Sequence, residues 1–379
     1  MKNEERIETV IVGAGQAGLS LGYHLARLGR PFVILEERER IGDNWRQRWW
    51  KSLRLFTPAR YDGLPGWSFP ASPWSFPSRD EMADYLEAYA ARFELPVRTA
   101  THVDSLTRDG DRFVVLAGER RFEAQNVVLA SGQHQKAVLP GFASDLDPRI
   151  AQLHATEYRD PSQVTPGTVL VVGAGNSGAD ISIELADTHR VWLSGPDKGH
   201  IPFRIDRRAA RVILPVLWFL WTHLLTVKTP VGRRMQPKAI AKGAPLIRVK
   251  PKDLAAAGVQ RVPRTVGASD GMPELEDGRV LDAATVIWCT GFRPDFDWID
   301  LPVFRDEAVP ATERGAVPAE PGLYLLGLDF LYAFNSENVG GVGRDAGHIA
   351  RHIDSRAREG AGERSEAPSP AMPALRRAS

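Results

Sequence analysis

At 379 residues the chain exceeds what one ordinary core holds at about 150 residues per domain, so two or three units are expected. A charged fraction of 25% with a formal net charge of +1 leaves no sustained basic stripe, which argues against a nucleic-acid partner. The lone cysteine, Cys289, excludes an internal disulfide framework, a CxxC redox pair and a cysteine-built zinc site, and no metal site is expected.

The opening "MKNEERIE" is charged and passes straight into a strand. No signal peptide is read there, and the cytoplasm is the expected address. Val10, Ile11 and Val12 then form the continuous apolar run of a parallel strand covered on both faces. Leu21, Leu25 and Leu28 follow at helical spacing, Gly29 is placed to end that helix, and "PFVILEE" reads as the next strand. Between strand and helix lies "GAGQAG", with Gly13, Gly15 and Gly18 around Gln16 and Ala17. In a βαβ unit the first glycine permits a tight turn, the second lets backbone N–H groups approach a pyrophosphate, and the third lets helix pack on strand. Glu36, at the end of the second strand, is spaced to accept both ribose hydroxyls and to repel a 2′-phosphate. This turn therefore suits FAD or NAD.

Further along, "FEAQNVVLASG" at 122–132 reads as a closing strand that ends at Ser131 and Gly132. The pattern then repeats. "TVLVVGAGNSGADI" at 168–181 carries Gly173, Gly175 and Gly178 around Asn176 and Ser177, and "LDAATVIWCTG" at 281–291 ends at Thr290 and Gly291. Two different motifs recurring at shifts of 160 and 159 residues imply two homologous dinucleotide-binding units. The second strand of the second copy, "RVWLSG", ends at Ser194 without an acid, which admits a 2′-phosphate with Lys198, His200 and Arg204 nearby. NADPH is favoured over NADH there, although Asp197 argues the other way.

The most apolar segment, "VILPVLWFLWTHLLTV" at 212–227, is shorter than the roughly 20 residues that span a bilayer. A buried or interfacial helix, a substrate-channel wall and a weak membrane-surface contact all remain open. The strand "GLYLLGL" at 322–328 and a helix near 344–357 have no second-copy equivalent and are expected to rejoin the first unit. The resulting α/β fold has two Rossmann-like domains. Residues 1–150 and 292–357 form an FAD-binding domain, 151–291 an inserted NAD(P)H-binding domain, and 358–379 a disordered tail rich in Pro, Ala, Gly and Ser.

With both turns placed, the chain resembles the class B flavin-dependent monooxygenases, which include flavin-containing, YUCCA-like and Baeyer–Villiger enzymes. The likeness runs over about 8–355 and rests on "VIVGAGQAGLS", "IGDNWRQRWWKSLRLFTP", "LPGWSFP", "VVLASGQHQKAVLPG", "HATEY", "VLVVGAGNSGADI" and "VIWCTGFRPD" in that order. The resemblance implies FAD in the first turn and NADPH in the second. It sets Gly42, Trp45 and Arg46 along the flavin, with Thr57, Val103 and Asp345 in the same site. The fingerprint between the domains appears as "PRIAQLHATEY", where Pro148 and Ile150 replace Phe and Gly, which counts against Baeyer–Villiger chemistry. Phe56 stands where relatives hold an Asn beside the flavin peroxide, and Pro196 where many hold an Arg.

The implied chemistry is hydride transfer from NADPH to flavin, trapping of O2 as a C4a-hydroperoxide, and oxygen transfer to a small, apolar substrate at N, S or a carbonyl carbon. Trp45, Trp49, Trp50, Phe56 and Trp67 would line a dry pocket, His134 would reach the pyrophosphate, and His154 would orient nicotinamide. A homodimer is compatible with the sequence. The rival readings are an NAD(P)H oxidase or reductase that yields H2O2 or reduces an acceptor, and a redox sensor that binds nucleotides without turnover.

Overall fold

The computed structural model describes residues 4–242, 244–305 and 309–366. Strand β1 (Glu4–Val12) leads into helix α1 (Gln16–Arg27) and strand β2 (Phe32–Leu35), with β1 and β2 parallel and Val12 opposite Leu35. Gly29 ends α1 as expected. It adopts φ +66° and donates its N–H to Ala26, while the next N–H, of Arg30, reaches back to Leu25. Leu21 and Leu25 are fully buried, whereas Leu28, at the helix end, is 38% exposed.

Helices α2 (Asp43–Arg48) and α3 (Arg79–Arg92) follow, and reciprocal hydrogen bonds between Ser78 and Glu81 open the second of them. Strands β3 (Val97–Arg98), β4 (Ser105–Asp109), β5 (Arg112–Ala117) and β6 (Arg120–Leu129) complete a sheet of order β3-β2-β1-β6-β5-β4. A short strand, β7 (Lys136–Ala137), leaves it.

The second unit repeats the plan. After β8 (Ala151–His154) come β9 (Thr168–Val172), α4 (Asn176–Ala186) and β10 (Arg190–Ser194). Helices α5 (Ala210–His223), α6 (Pro230–Lys242) and α7 (Pro251–Ala256) precede β11 (Gln260–Val262) and the hairpin of β12 (Thr265–Ser269) with β13 (Met272–Leu275). Strand β14 (Thr285–Trp288) enters between β9 and β8 in a parallel sheet of order β11-β10-β9-β14-β8.

Strand β15 (Phe292–Arg293) pairs antiparallel with β7, so the segments that leave the two closing strands are zipped to each other. Lys136 strengthens this joint through Asp295 and Asp297, at 2.8 and 2.6 Å. Strand β16 (Leu323–Leu325) pairs with β6 and carries the chain back to the first sheet. Helix α8 (Val339–Glu366) then lies against α1, where Gly343 O meets His24 Nε2 at 3.1 Å. The helix continues through 358–366, where the sequence reading starts a disordered tail; residues 367–379 of that tail lie outside the described residues.

Candidate functional site

Each Gly-rich turn is built from the same contacts. A Cβ on Gly13 would fall 2.7 Å from Ala130 O, and one on Gly173 would fall 2.1 Å from Cys289 O. The first glycine of each copy therefore packs under its closing strand, in a left-handed conformation (φ +104° and +112°). The third glycines, Gly18 and Gly178, would each place a Cβ 1.9 Å from the carbonyl of the first. Two of the three glycines in each turn are thus demanded by the fold itself.

The middle glycines are not. Gly15 and Gly175 have φ of −77° and −82°, open to any residue, and a Cβ on either would touch nothing within 4 Å. Each is the N-cap of its helix, and neither helix receives a side-chain cap. Helix N-termini usually recruit Ser, Thr, Asp or Asn for their unpaired N–H groups. Leaving them bare over open space suits a phosphate, which takes the N–H groups and the helix dipole together. Ser131, beside the first turn, keeps a buried Oγ with no hydrogen-bond partner, a second group awaiting a ligand. The residues present therefore fit a dinucleotide at each turn.

The ends of the second strands differ. Glu36 is mostly buried, and burial pushes its carboxyl above the usual range. Its Oε2 accepts the Ala14 N–H at 2.8 Å and its Oε1 the Arg38 N–H at 3.1 Å, which ties the strand end to the turn. In the second copy Ser194 does not stand at the acid's position. The Gly13 N–H donates to Leu35 O and the Gly173 N–H to Ser194 O, so Ser194 matches Leu35 and Gly195 matches Glu36. The Ser194 hydroxyl is fully buried, accepts the Thr265 N–H at 2.8 Å and contacts Pro263 O and Thr265 Oγ1, and is turned away from any 2′-phosphate. Gly195, at φ +133°, passes close over Ala174 N, where Glu36 covers Ala14 N in the first copy.

Other expected ligands sit in varied surroundings. Gly42 lets α2 approach α3, since a Cβ there would lie 2.6 Å from Ala83 O, and Arg46 binds Ile41 O, Asp43, Asp84 and Glu87. Both residues hold α2 on α3. Asn176 donates to Pro245 O and accepts from Ile247 N, which pins that segment across the helix start. Arg204 is paired with Asp253 and Asp206. Val103 packs in the first-unit core, and Asp345 is buried beside Arg344 at 3.5 Å. Gln16, Ala17 and Ser177 sit on the first turns of their helices, Lys198 is exposed, and Trp45 is partly buried between the cores of both units.

His154 is held at both ring nitrogens. Nε2 donates to Gly291 O at 3.2 Å and Nδ1 faces Thr156 Oγ1 at 2.9 Å, while burial lowers its pKa. It braces the second closing motif through Gly291 O. Thr290 donates to Val138 O, across the same joint. Trp49, His134 and His154 set their rings edge-on around Phe292, with centroids 5.0 to 5.6 Å from it, and cover the joint. The remaining aromatics do not form one pocket, since Trp50 lies in the second-unit core and Trp67 packs on Tyr85.

Three residues escaped sequence reasoning. Arg248 donates to Asp180 at 2.6 Å and to Arg54 O at 3.3 Å, and its guanidinium lies 5.7 Å from the centre of the Phe56 ring. It clamps the helix after the second turn to the first unit. Asp62 is fully buried and bonded to the Thr57 hydroxyl; its second oxygen has no partner, and burial pushes its carboxyl up to about 8. "RYDGLPG" reads only as a turn, so no periodicity flags it. Arg261 is exposed on β11 and donates to Gly195 O at 2.8 Å, at the strand end where Ser194 was expected to act. Its signal would have been strand order, which a sequence without pairing information does not supply. Cys289 is partly buried, and desolvation pushes its thiol up to about 12, which disfavours the thiolate.

The family model for pyridine nucleotide-disulphide oxidoreductases matches residues 10–201. An uncharacterized CzcO-like oxidoreductase of Geobacillus kaustophilus is 37% identical over 92% of this chain and 98% of its own length. The probable indole-3-pyruvate monooxygenase YUCCA3 of Arabidopsis thaliana is 28% identical over 92% of this chain and 87% of its length. Among solved structures, a flavin-containing monooxygenase from Stenotrophomonas maltophilia superimposes with a TM-score of 0.75 at 28% identity, covering 93% of this chain and 99% of that one.

Proposed function

Since this chain belongs to the pyridine nucleotide-disulphide oxidoreductase family, we propose that it is an FAD-dependent, NADPH-consuming monooxygenase acting on a small, apolar organic substrate at nitrogen, sulfur or a carbonyl carbon. The observation that carries this is the pair of middle glycines, Gly15 and Gly175, each facing open space at an uncapped helix start. Two such turns on one chain serve a cofactor that is reduced and a cofactor that reduces it. FAD takes the first turn, with Glu36 at its ribose, and NADPH the second.

When bound, the flavin supplies hydride acceptance and activation of O2. The protein's own part is binding and exclusion of water. The uncapped N-termini of α1 and α4 would hold the two pyrophosphates, and Ser131 Oγ would offer a hydrogen bond beside the first. The β7–β15 ladder and the hydrogen bond from Arg248 to Arg54 O tie the two units together and would hold the two bound cofactors at a set separation. Trp49, His134 and Phe292 pack edge to edge at the joint and would narrow the access of water to it, which matters because water diverts reduced oxygen to H2O2.

One observation favours a second reading, an NAD(P)H oxidase. Phe56 brings no polar group to the cleft and faces Arg248 instead. One experiment tests both. NADPH consumption by flavin-loaded protein is followed over amines, sulfides and ketones while H2O2 is measured. The monooxygenase reading expects at least one substrate class to raise consumption while H2O2 per NADPH falls and an oxygenated product accumulates. One H2O2 per NADPH with every compound would assign the oxidase.

A further inference from the structure

The segment between β10 and β11 holds a feature that nucleotide binding does not use. Helix α5 is anchored on its inner side. Leu214 is buried, Trp218 stacks on Tyr61 at 4.7 Å, Asn335 donates to the Thr222 hydroxyl at 3.0 Å and Arg344 to Thr222 O at 2.9 Å. The chain after it is stitched to the 332–334 loop through Val227 N to Tyr332 O and Phe334 N to Leu225 O. The helix is therefore fixed in place, and its outer side is not a face waiting to fold inward.

That outer side is apolar. Val212, Val216 and Phe219 recur at i, i+4 and i+7 and are 74%, 57% and 60% exposed. Leu224, Val231 and Ile240 continue the exposed apolar surface onto α6. Such surface on a soluble domain marks an interaction site. Charge says with what. Residues 207–240 contain seven Lys or Arg and no Asp or Glu, in a chain of net charge +1. Arg207, Arg208 and Arg211 stand exposed at the start of α5, and Arg233, Arg234 and Lys238 on α6. Exposed apolar residues flanked by one sign of charge match the interface of an anionic bilayer, where apolar side chains enter the acyl boundary and Lys and Arg meet the headgroups. Among the described residues no helix is long and apolar enough to cross a membrane. At 14 residues α5 is about 21 Å long, against about 30 Å of hydrocarbon. It lies on a surface rather than through it.

We propose that the outer face of α5 and α6 is a monotopic docking surface for anionic phospholipid membranes. This does not depend on the flavin reading. The test is co-sedimentation of the purified full chain with vesicles of phosphatidylglycerol and phosphatidylcholine, and with vesicles of phosphatidylcholine alone. Binding should be at least about tenfold stronger to the anionic vesicles at low salt and should fall as salt rises. The double variant Val216→Glu/Phe219→Glu should lose about tenfold or more of that binding with its melting temperature and NADPH consumption in solution unchanged. Charge reversal at Arg233 and Arg234 should weaken binding independently. Equal binding to both vesicle types, or none, overturns the proposal. A dimer in light scattering that the double variant splits, without vesicle binding, overturns it too, and gives the face to a second copy of the chain.

Discussion

The two Gly-rich turns share one backbone cradle and differ in what closes the end of the second strand. In the first copy a buried carboxylate, Glu36, covers the Ala14 N–H; in the second the chain itself, at Gly195, passes over Ala174 N. Phosphate binding needs only the cradle, and the two cradles have the same contacts. Selection of the sugar depends on the group beside it, so that position diverged. The cradle therefore suits a dinucleotide, and the strand end is where a choice between dinucleotides would be made.

The widest break between the copies is expected from Gly15→Val. Its Cβ points into open space at an ordinary φ, so the fold should survive and the flavin should not. The expected outcome is colourless protein with a circular dichroism melt within a few degrees of wild type. Gly13→Ala is the contrasting control. It forces a side chain against Ala130 O at φ +104°, and should cost stability directly. Full flavin occupancy in Gly15→Val would remove FAD from the first turn.

Gly175→Val should separate the two sites. The protein should stay yellow while KM for NADPH rises by about 100-fold or more, the equivalent of about 2.7 kcal/mol of lost phosphate contacts. Loss of flavin with KM unchanged would mean the two nucleotides had been assigned to the wrong turns.

Much of this was legible in the sequence. Val10–Val12 and Val169–Val172 could only be strands covered on both faces, and the matched shift of turn and closing motif located the second unit. What failed was register. Whether Ser194 or Gly195 stands in for Glu36 is fixed by which carbonyl accepts the Gly173 N–H, and a one-residue slip turns a side chain from the ligand to the core. Arg46, Asn176 and His154 have the right chemistry and the right place in the motif, and each also bonds a partner remote in sequence: Asp84, Pro245 O and Gly291 O. Long-range pairings of that kind leave no local pattern. Asp62 and Arg261 were missed for the same reason.

Glu36→Gln probes the closing group itself. Glutamine keeps an acceptor for the Ala14 N–H and loses the charge that the ribose hydroxyls meet, so flavin affinity should fall by about tenfold, one charge-assisted hydrogen bond of about 1.4 kcal/mol. Stability of the flavin-free protein should move the other way. Burial raises the Glu36 carboxyl above 4.5, so its contribution is complete below that pH and is lost as pH rises through the raised value. Urea titrations at pH 4.5 and 8 should therefore show Glu36→Gln gaining on wild type at the higher pH. An equal difference at both pH values would mean that Glu36 is ionised as easily in the folded chain as in the unfolded one.

The smallest expected effect tests the second strand end. Pro196 stands after "LSG" where the resemblance leads one to expect an arginine, and Ser194 faces the core, so a 2′-phosphate would need another cation. Arg261 comes from the neighbouring strand and already reaches Gly195 O, the residue that matches Glu36. An exposed guanidinium on a phosphate is worth about 1 kcal/mol at moderate salt, roughly a fivefold change in affinity. Arg261→Ala should thus lower the preference for NADPH over NADH by about fivefold, almost entirely through KM for NADPH, with KM for NADH unchanged and the effect shrinking as salt rises. A parallel loss with both cofactors would mean that Arg261 only supports the Gly195 turn, and that the second site recognises the 2′-phosphate through the loop that follows it.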